Sequence, residues 1–365
     1  MRVPFLDLHA SYLELKNEID SSIARVLSSG MYVGGSEVET FEDNFSDYCG
    51  SEFTVGVANG LDALRLSLRV LDVGPGDEVI VPANTFIATW LAVTEVGATP
   101  VPVEPNAFSY NINTDEIQQV LTSKTKAIIP VHLFGQPADL EPILLLAKNF
   151  NLYVIEDAAQ AAGSKYKDRR IGAHGDLVCW SFYPGKNLGA FGDAGAITTD
   201  NPALAEKLFA LRNYGSAKKY SHKYIGINSR LDPMQACILD LKLKRLDEWN
   251  NRRKKIASFY SDALASHSLI QLPHVPEWAE PVWHLFVIQT LQRDLLQSHL
   301  AKHNIETIIH YPIPPHQQDA YKGSVQATLN LSITENLSKN ILSLPMGPHL
   351  SEIEQQYVVQ CINNF

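Results

Sequence analysis

The order of apolar segments predicts an α/β protein built on a mainly parallel sheet. Short, near-continuous apolar runs recur through the first two-thirds of the 365 residues, and stretches with apolar residues at helical spacing separate them. A strand that is apolar at nearly every position is buried on both faces, the condition of a parallel strand covered by helices. Composition agrees: 45% hydrophobic and 19% charged residues, with a mean hydropathy of −0.09, exclude a disordered, collagen-like or coiled-coil chain.

Taken in order, EVIVP (78–82), TPVPVEP (99–105), KAIIPVHL (126–133), LYVIEDAA (152–159) and LVCWSFYP (177–184) read as buried strands. Between them, ALRLSLRVL (63–71) and LEPILLLAKNF (140–150) read as helices. From about residue 231 the texture changes. The segment 231–264 reads as one long helix, heavily charged on one face; a Pro-rich connector, LPHVPEWAEP (272–281), then leads to the strand WHLFVIQT and further helices. The expected organisation is a large α/β domain over 1–245 and a smaller C-terminal α+β domain over 246–365.

Charge narrows the function classes. Lys+Arg number 30 against 40 Asp+Glu, a net of −10, which disfavours binding to a nucleic-acid backbone. The mixed-sign run KLKRLDEWNNRRKK (242–255) reads as a helix surface. Four scattered cysteines (Cys49, Cys179, Cys237, Cys361) with no C-x-x-C pair fit reduced thiols and offer no zinc knuckle. His299 and His303 lie at i,i+4 spacing, but HLAKH lacks a zincin glutamate, so the pair reads as a solvated helix face and no metal is expected. There is no G-x-G-x-x-G and no G-x-S-x-G elbow. The first twenty residues contain Asp7, Glu14 and Lys16 and no continuous apolar core, and no run of about 18 apolar residues follows. A soluble, cytoplasmic protein is the expectation.

In α/β sheets ligands bind at the carboxyl ends of the strands, and three motifs fall there. SFYPGKNLGAFGDAGAI places Lys186 after a strand and a Pro184–Gly185 turn, among glycines that permit close approach of a ligand. A lysine sheltered in such a pocket can lose its proton and form a Schiff base with a carbonyl; the competing reading is a lysine on a surface loop. Asp157, at the end of VIED, lies 29 residues before Lys186. A pyridoxal phosphate site needs this pair, the lysine to carry the cofactor and the carboxylate to keep the pyridine nitrogen protonated. Gln160 could meet the ring's phenolic oxygen. Alone, Asp157 would also read as a helix cap. Asn59-Gly60 precedes a helical pattern, and the free N–H groups of a helix start suit a phosphate, though ordinary caps look the same.

These residues sit in an ordered set of motifs that resembles a known family. GPGDEVIVPANTFIAT (74–89), IIPVHLFGQPAD (128–139), VIEDAAQA (154–161), SFYPGKNLGAFGDAGAI (181–197), RNYGSAKKY (212–220) and GINSRLDPMQA (226–236) are similar to motifs of the DegT/DnrJ-type sugar-nucleotide aminotransferases. Those are pyridoxal-phosphate enzymes of fold type I. The resemblance spans nearly the whole chain, from PFLDL (4–8) to HYPIPPHQQDAY (310–321). It implies a mainly parallel seven-stranded sheet between helices and a homodimer with shared active sites. Lys186 would be the Schiff-base lysine, Asp157 the partner of the ring nitrogen, and Gln160 a contact to the cofactor's oxygen. Phe86 would stack on the ring. Ser181, Asn59, Gly60 and the backbone of Leu61 would hold the phosphate, joined by Asn228 from the second subunit. Leu61 stands where Ser or Thr is common, so a hydroxyl contact is absent there.

Tyr183, three residues before Lys186, resembles the branch that aminates C3 of thymidine-diphosphate-linked 3-keto-6-deoxyhexoses, whereas C4-acting branches more often carry His. By the same resemblance Lys219 would meet the diphosphate, and His310 and Tyr311 the sugar or nucleotide. L-Glutamate is the implied amino donor, in deoxyaminosugar biosynthesis for a glycan such as an O-antigen or S-layer. The rival readings are a 4-keto sugar aminotransferase, a pyridoxal-phosphate dehydrase, and a non-catalytic regulator that keeps the fold. The family's dehydrases replace the lysine by His, so Lys186 speaks against the second. The intact Lys186–Asp157 pair speaks against the last.

Overall fold

The computed structural model describes residues 1–218 and 220–365. Its centre is a seven-stranded sheet of β1 (Phe53–Val57), β2 (Glu78–Pro82), β3 (Thr99–Val103), β4 (Thr125–Ile128), β5 (Tyr153–Asp157), β6 (Leu177–Ser181) and β7 (Gly195–Thr199). The order across the sheet is β1-β7-β6-β5-β4-β2-β3. Only β7 runs against its neighbours, pairing antiparallel with both β1 and β6; the remaining pairs are parallel. β2, β3, β5 and β6 fall inside four of the five apolar runs, and β4 starts one residue before the fifth. β1 (FTVGV) and β7 (GAITT) carry Gly and Thr, and their signal in the sequence is correspondingly weak.

Helices cover both faces. α1 (Gly60–Val70) starts where Asn59 Oδ1 accepts the Asp62 N–H at 2.8 Å, and α2 (Ile87–Glu95) follows β2. On their side, Leu66, Leu68, Val81, Trp90, Ile155 and Ile197 form a continuous buried cluster. On the other face Phe41, Phe45, Trp180 and Phe182 interlock, with Phe45 edge-on to Trp180 at 5.2 Å and to Phe182 at 5.3 Å between ring centres. α3 (Leu140–Phe150) packs Ile143 and Ala147 against Ile80, Ile128 and Val154.

The long charged helix is two helices. α4 (Pro233–Leu243) and α5 (Leu246–Leu264) are separated by a turn at Lys244–Arg245. The break lets the chain leave one apolar cluster, which includes Leu239, Leu243 and Leu246, and enter another containing Ile256, Ala257 and Tyr260. Nor is the charged run wholly surface: Lys242 and Arg253 are 4% and 3% exposed. Arg253 donates to the carbonyls of Trp283, His284 and Met346, which explains how a guanidinium can lie inside the protein.

The C-terminal region holds a hairpin-like pair, β8 (Phe286–Gln289) antiparallel to β9 (Ile341–Leu344), over a core of Phe286, Leu296, Leu342 and Ile362. Val3 belongs to the same core and pairs with Ile305, so the first residues of the chain pack with the last hundred. His299 and His303 are half-buried rather than solvated. His299 Nε2 contacts the Cys361 carbonyl at 2.9 Å and His303 Nδ1 the His299 carbonyl at 2.9 Å. The four cysteines are buried and unbridged. Among the described residues, no helix is long and apolar enough to cross a membrane.

Candidate active site

The carboxyl ends of β1, β2, β5 and β6 open on one cleft of about 500 Å³. Each strand end delivers a part. After β1, Gly60 begins α1 so close to β6 that an added Cβ would fall 2.7 Å from Ser181 Cβ, so a residue with a side chain would displace either the helix start or the strand end. Asn59 spends its side chain as the helix cap. The N–H groups of Gly60 and Leu61, in the first turn, have no intrahelical acceptor and lie beside the Ser181 hydroxyl at the cleft wall. That is a ready anion cradle.

β5 delivers Asp157, 6% exposed. Its carboxylate accepts the Thr89 hydroxyl at 2.9 Å and the Ala159 N–H at 3.2 Å. Thr89 has one proton to give, so at 3.0 Å from Thr85 Oγ1 it must accept from that hydroxyl. Burial pushes the Asp157 carboxyl up from the ordinary value, against the pull of Thr89, the Ala159 N–H and the Lys186 charge. The helix-cap reading fails: residues 158–164 form turns and no helix, and the Ala159 N–H belongs to the first of them. Behind it, the fully buried His132 and Glu156 meet at 2.9 Å. His132 Nδ1 accepts the Ala138 N–H at 3.0 Å, so Nε2 carries the proton that is shared with Glu156.

Lys186 follows β6 across the Tyr183–Gly185 turn, its N–H bonded to the Tyr183 carbonyl at 2.8 Å. Enclosure lowers its amine from 10.5 to about 8, with the Asp157 carboxylate opposing the fall. The next residue, Asn187, anchors the turn by donating to Asn250 Oδ1 at 2.8 Å and the Val282 carbonyl at 2.9 Å. Across the cleft, Gln160 accepts the Phe134 N–H and donates to Tyr311 Oη at 3.1 Å. Tyr311 also stands 5.3 Å from Phe86, ring centre to ring centre. Phe86 and Tyr183 are 51% and 60% exposed at the cleft, which leaves both rings free to cover a ligand.

Of the residues expected at the site, Asn59, Gly60, Leu61, Phe86, Asp157, Gln160, Ser181, Tyr183, Lys186 and Tyr311 line this one cleft. His310 lies behind it, bonded to Ser343 Oγ at 2.8 Å and pushed down to about 4 by burial and by the Lys186 charge. Asn228 is exposed, outside its own chain's cleft. Lys219 lies outside the described residues. Sequence reasoning missed Thr85, Thr89 and Asp193, which also line the cleft. The i,i+4 spacing of the two threonines at a helix start was a usable signal; nothing marked Asp193.

Against known proteins, the model of the DegT/DnrJ/EryC1/StrS aminotransferase family matches residues 13–363. The chain belongs to this family. This aminotransferase is 50% identical over its full length to the dTDP-3-amino-3,4,6-trideoxy-alpha-D-glucose transaminase of Streptomyces venezuelae, covering 96% of that protein. It is also 50% identical, over its full length and 99% of the relative, to the dTDP-3-amino-3,6-dideoxy-alpha-D-galactopyranose transaminase of Aneurinibacillus thermoaerophilus. Its backbone superposes on the crystal structure of S. venezuelae DesV in complex with ketimine intermediate with a TM-score of 0.98, at 50% identity, covering 100% of this chain and 98% of the other. The seven-stranded, mainly parallel architecture is thus that of the family's enzymes.

Proposed function

We propose that this aminotransferase uses pyridoxal 5′-phosphate to move the amino group of L-glutamate to C3 of a thymidine-diphosphate-linked 3-keto-6-deoxyhexose. The observation that carries the reading is that Lys186 and Asp157, far apart in sequence, face one cleft with an unpaired helix start beside them. Two relatives of 50% identity, each named for a 3-amino sugar linked to dTDP, support the substrate class and the position. They differ in the sugar, one gluco and one galacto.

The cleft fits the cofactor at both ends. The N–H groups of Gly60 and Leu61 and the Ser181 hydroxyl suit a phosphate, while the buried Asp157 carboxylate, unfavourable as a lone charge, suits a protonated ring nitrogen. When bound, the cofactor supplies a carbonyl that captures amines and a ring that takes up the electron pair left on carbon when a proton departs. Lys186 Nζ, with a proton affinity near neutrality, can take a proton from one carbon and return it to another. Asp157, held by Thr89 and the Ala159 N–H, keeps the proton on the ring nitrogen. Gln160, fixed by Phe134 and Tyr311, presents its amide to the ring's oxygen. Phe86 and Tyr311 cover the ring and exclude water from that side. Tyr183, on the turn that delivers Lys186, meets the sugar and sets which carbon reaches the amine.

Asn228 is exposed and does not line its own cleft, so it would serve a phosphate from a second chain. The exposed Met31-Tyr32-Val33 loop, each residue more than half open, is apolar surface of the kind a second copy covers. The reading therefore includes a homodimer. Light scattering should give twice the chain mass, and a monomer at working concentration would remove the shared site. The test of the reaction is glutamate with a panel of keto sugar nucleotides, the aminated carbon being read by NMR. Nitrogen at C4 would keep the aminotransferase and overturn the C3 assignment.

A further inference from the structure

Lys242 is a buried cation that the reaction leaves unused. It is 4% exposed, and among the described residues no carboxylate forms an ion pair with it. Its ammonium donates to the Gly189 carbonyl and stands 5.1 Å from the ring centre of Phe191 and 5.9 Å from that of Trp249. Burying a charge this way is costly unless carbonyl and aromatic contacts offset it, so what the ammonium holds is informative.

It holds the loop that follows Lys186. Seven residues earlier on α4, and so on the same face two turns away, Gln235 accepts the Phe191 N–H at 2.8 Å, with its amide nitrogen 3.4 Å from the Phe191 carbonyl. The loop is folded tightly on itself. Ala190 N–H reaches the Phe182 carbonyl at 2.8 Å, and a Cβ on Gly189 would fall 2.4 Å from the Pro184 carbonyl. Both ends of this segment, Lys186 and Asp193, line the cleft, while its middle is tied from behind at Gly189 and Phe191. These ties add to the anchors at Asn187 and at the Ala190 N–H in setting the separation of the two cleft residues.

We infer that Lys242 is a positioning residue for transamination, which with Gln235 fixes the loop that presents Lys186 to the cofactor and substrate. The inference rests on the assignment of Lys186 made above. Misplacement of a reacting group by about 1 Å can cost roughly 10²-fold in rate, and a loosened loop should misplace Lys186 part of the time.

The test uses the full chain reconstituted with pyridoxal 5′-phosphate. In Lys242→Met, kcat should fall about tenfold while KM for the sugar nucleotide stays within about twofold, the split expected when positioning rather than binding is lost. The pH midpoint of the visible absorbance should move, and backbone amides of residues 185–193 should exchange faster. Gln235→Leu, which frees the Phe191 backbone alone, should shift the same readouts by less, and it carries the test should Lys242→Met fail to fold. The inference is overturned by a folded variant whose kcat, absorbance midpoint and loop exchange all match wild type. A lower melting temperature with the midpoint and kcat unmoved also overturns it, since that is what a purely structural lysine would give. Near-normal transamination by Lys186→Ala would instead refute the Lys186 assignment.

Discussion

Lys186 and Lys242 are both taken out of water, and burial lowers each from an ordinary 10.5 to about 8. Their surroundings are otherwise opposite. Lys186 ends in a cleft of about 500 Å³ opposite a buried carboxylate. Lys242 ends against a carbonyl and two aromatic rings, outside that cleft. The shared proton affinity shows that desolvation alone does not make a lysine a reagent. Open volume and a facing carboxylate separate the lysine proposed to react from the lysine proposed to hold the backbone.

That contrast can be broken from either side. The largest effect should come from Lys186→Ala: transamination falls by roughly 10³-fold or more, since covalent anchor and proton carrier vanish together. Circular dichroism should show the fold unchanged, because the side chain packs into no core; near-normal turnover would return Lys186 to an ordinary loop lysine. Next, Asp157→Asn should retain cofactor while losing roughly 10² to 10⁴ in kcat, as an amide cannot hold the ring proton. Full activity in a single-turnover assay would leave the carboxylate as a turn contact for the Ala159 N–H.

Smaller is Thr89→Val, which deletes one donor to a buried carboxylate. Hydrogen bonds to charged groups contribute about 1.5–3 kcal/mol, so cofactor dissociation measured by fluorescence should rise roughly tenfold. An unchanged value would mean that the Ala159 N–H suffices.

The smallest effect concerns pH and the apoprotein. Lys242 has a folded-state value near 8 against 10.5 when solvated, so between those values the unfolded chain binds more protons than the folded one. Stability should therefore rise with pH over that window. Urea midpoints measured from pH 8 to 10.5 should climb less steeply in Lys242→Met than in wild type. Equal slopes would mean that Lys242 is not desolvated in solution.

How much of this was legible beforehand follows the reach of each signal. β2 to β6 were readable because strands covered on both faces are apolar throughout. β1 and β7, written with Gly and Thr, were not, because their pairing partners rather than their own residues decide them. The Lys186 turn and Asp157 were legible from their places at strand ends. Thr89 escaped because its role depends on α2 turning its hydroxyl toward β5, from a position 68 residues away in the chain.

The charged run at 242–255 shows the limit most clearly. Its composition correctly announces helix, since Lys, Arg, Glu and Leu all favour one. Which of its cations meets water is another matter. Lys244 and Lys254 are exposed while Lys242 and Arg253 are not; Arg253 shares a helical face with Leu246, Trp249 and Ile256, a spacing the run carries, whereas Lys242 lies before the turn at Lys244–Arg245. From the amino-acid sequence alone came β2 to β6 with the helices between them, the end of the sheet that opens on the cleft, and the lysine and carboxylate that meet there, because local spacing and side-chain chemistry determine these. The tertiary structure alone decided the turn between α4 and α5, the capture of Val3 by the C-terminal core, and the burial of Lys242 behind the Lys186 loop. Burial is a property of what packs around a residue, and those neighbours are brought together only when the chain has folded.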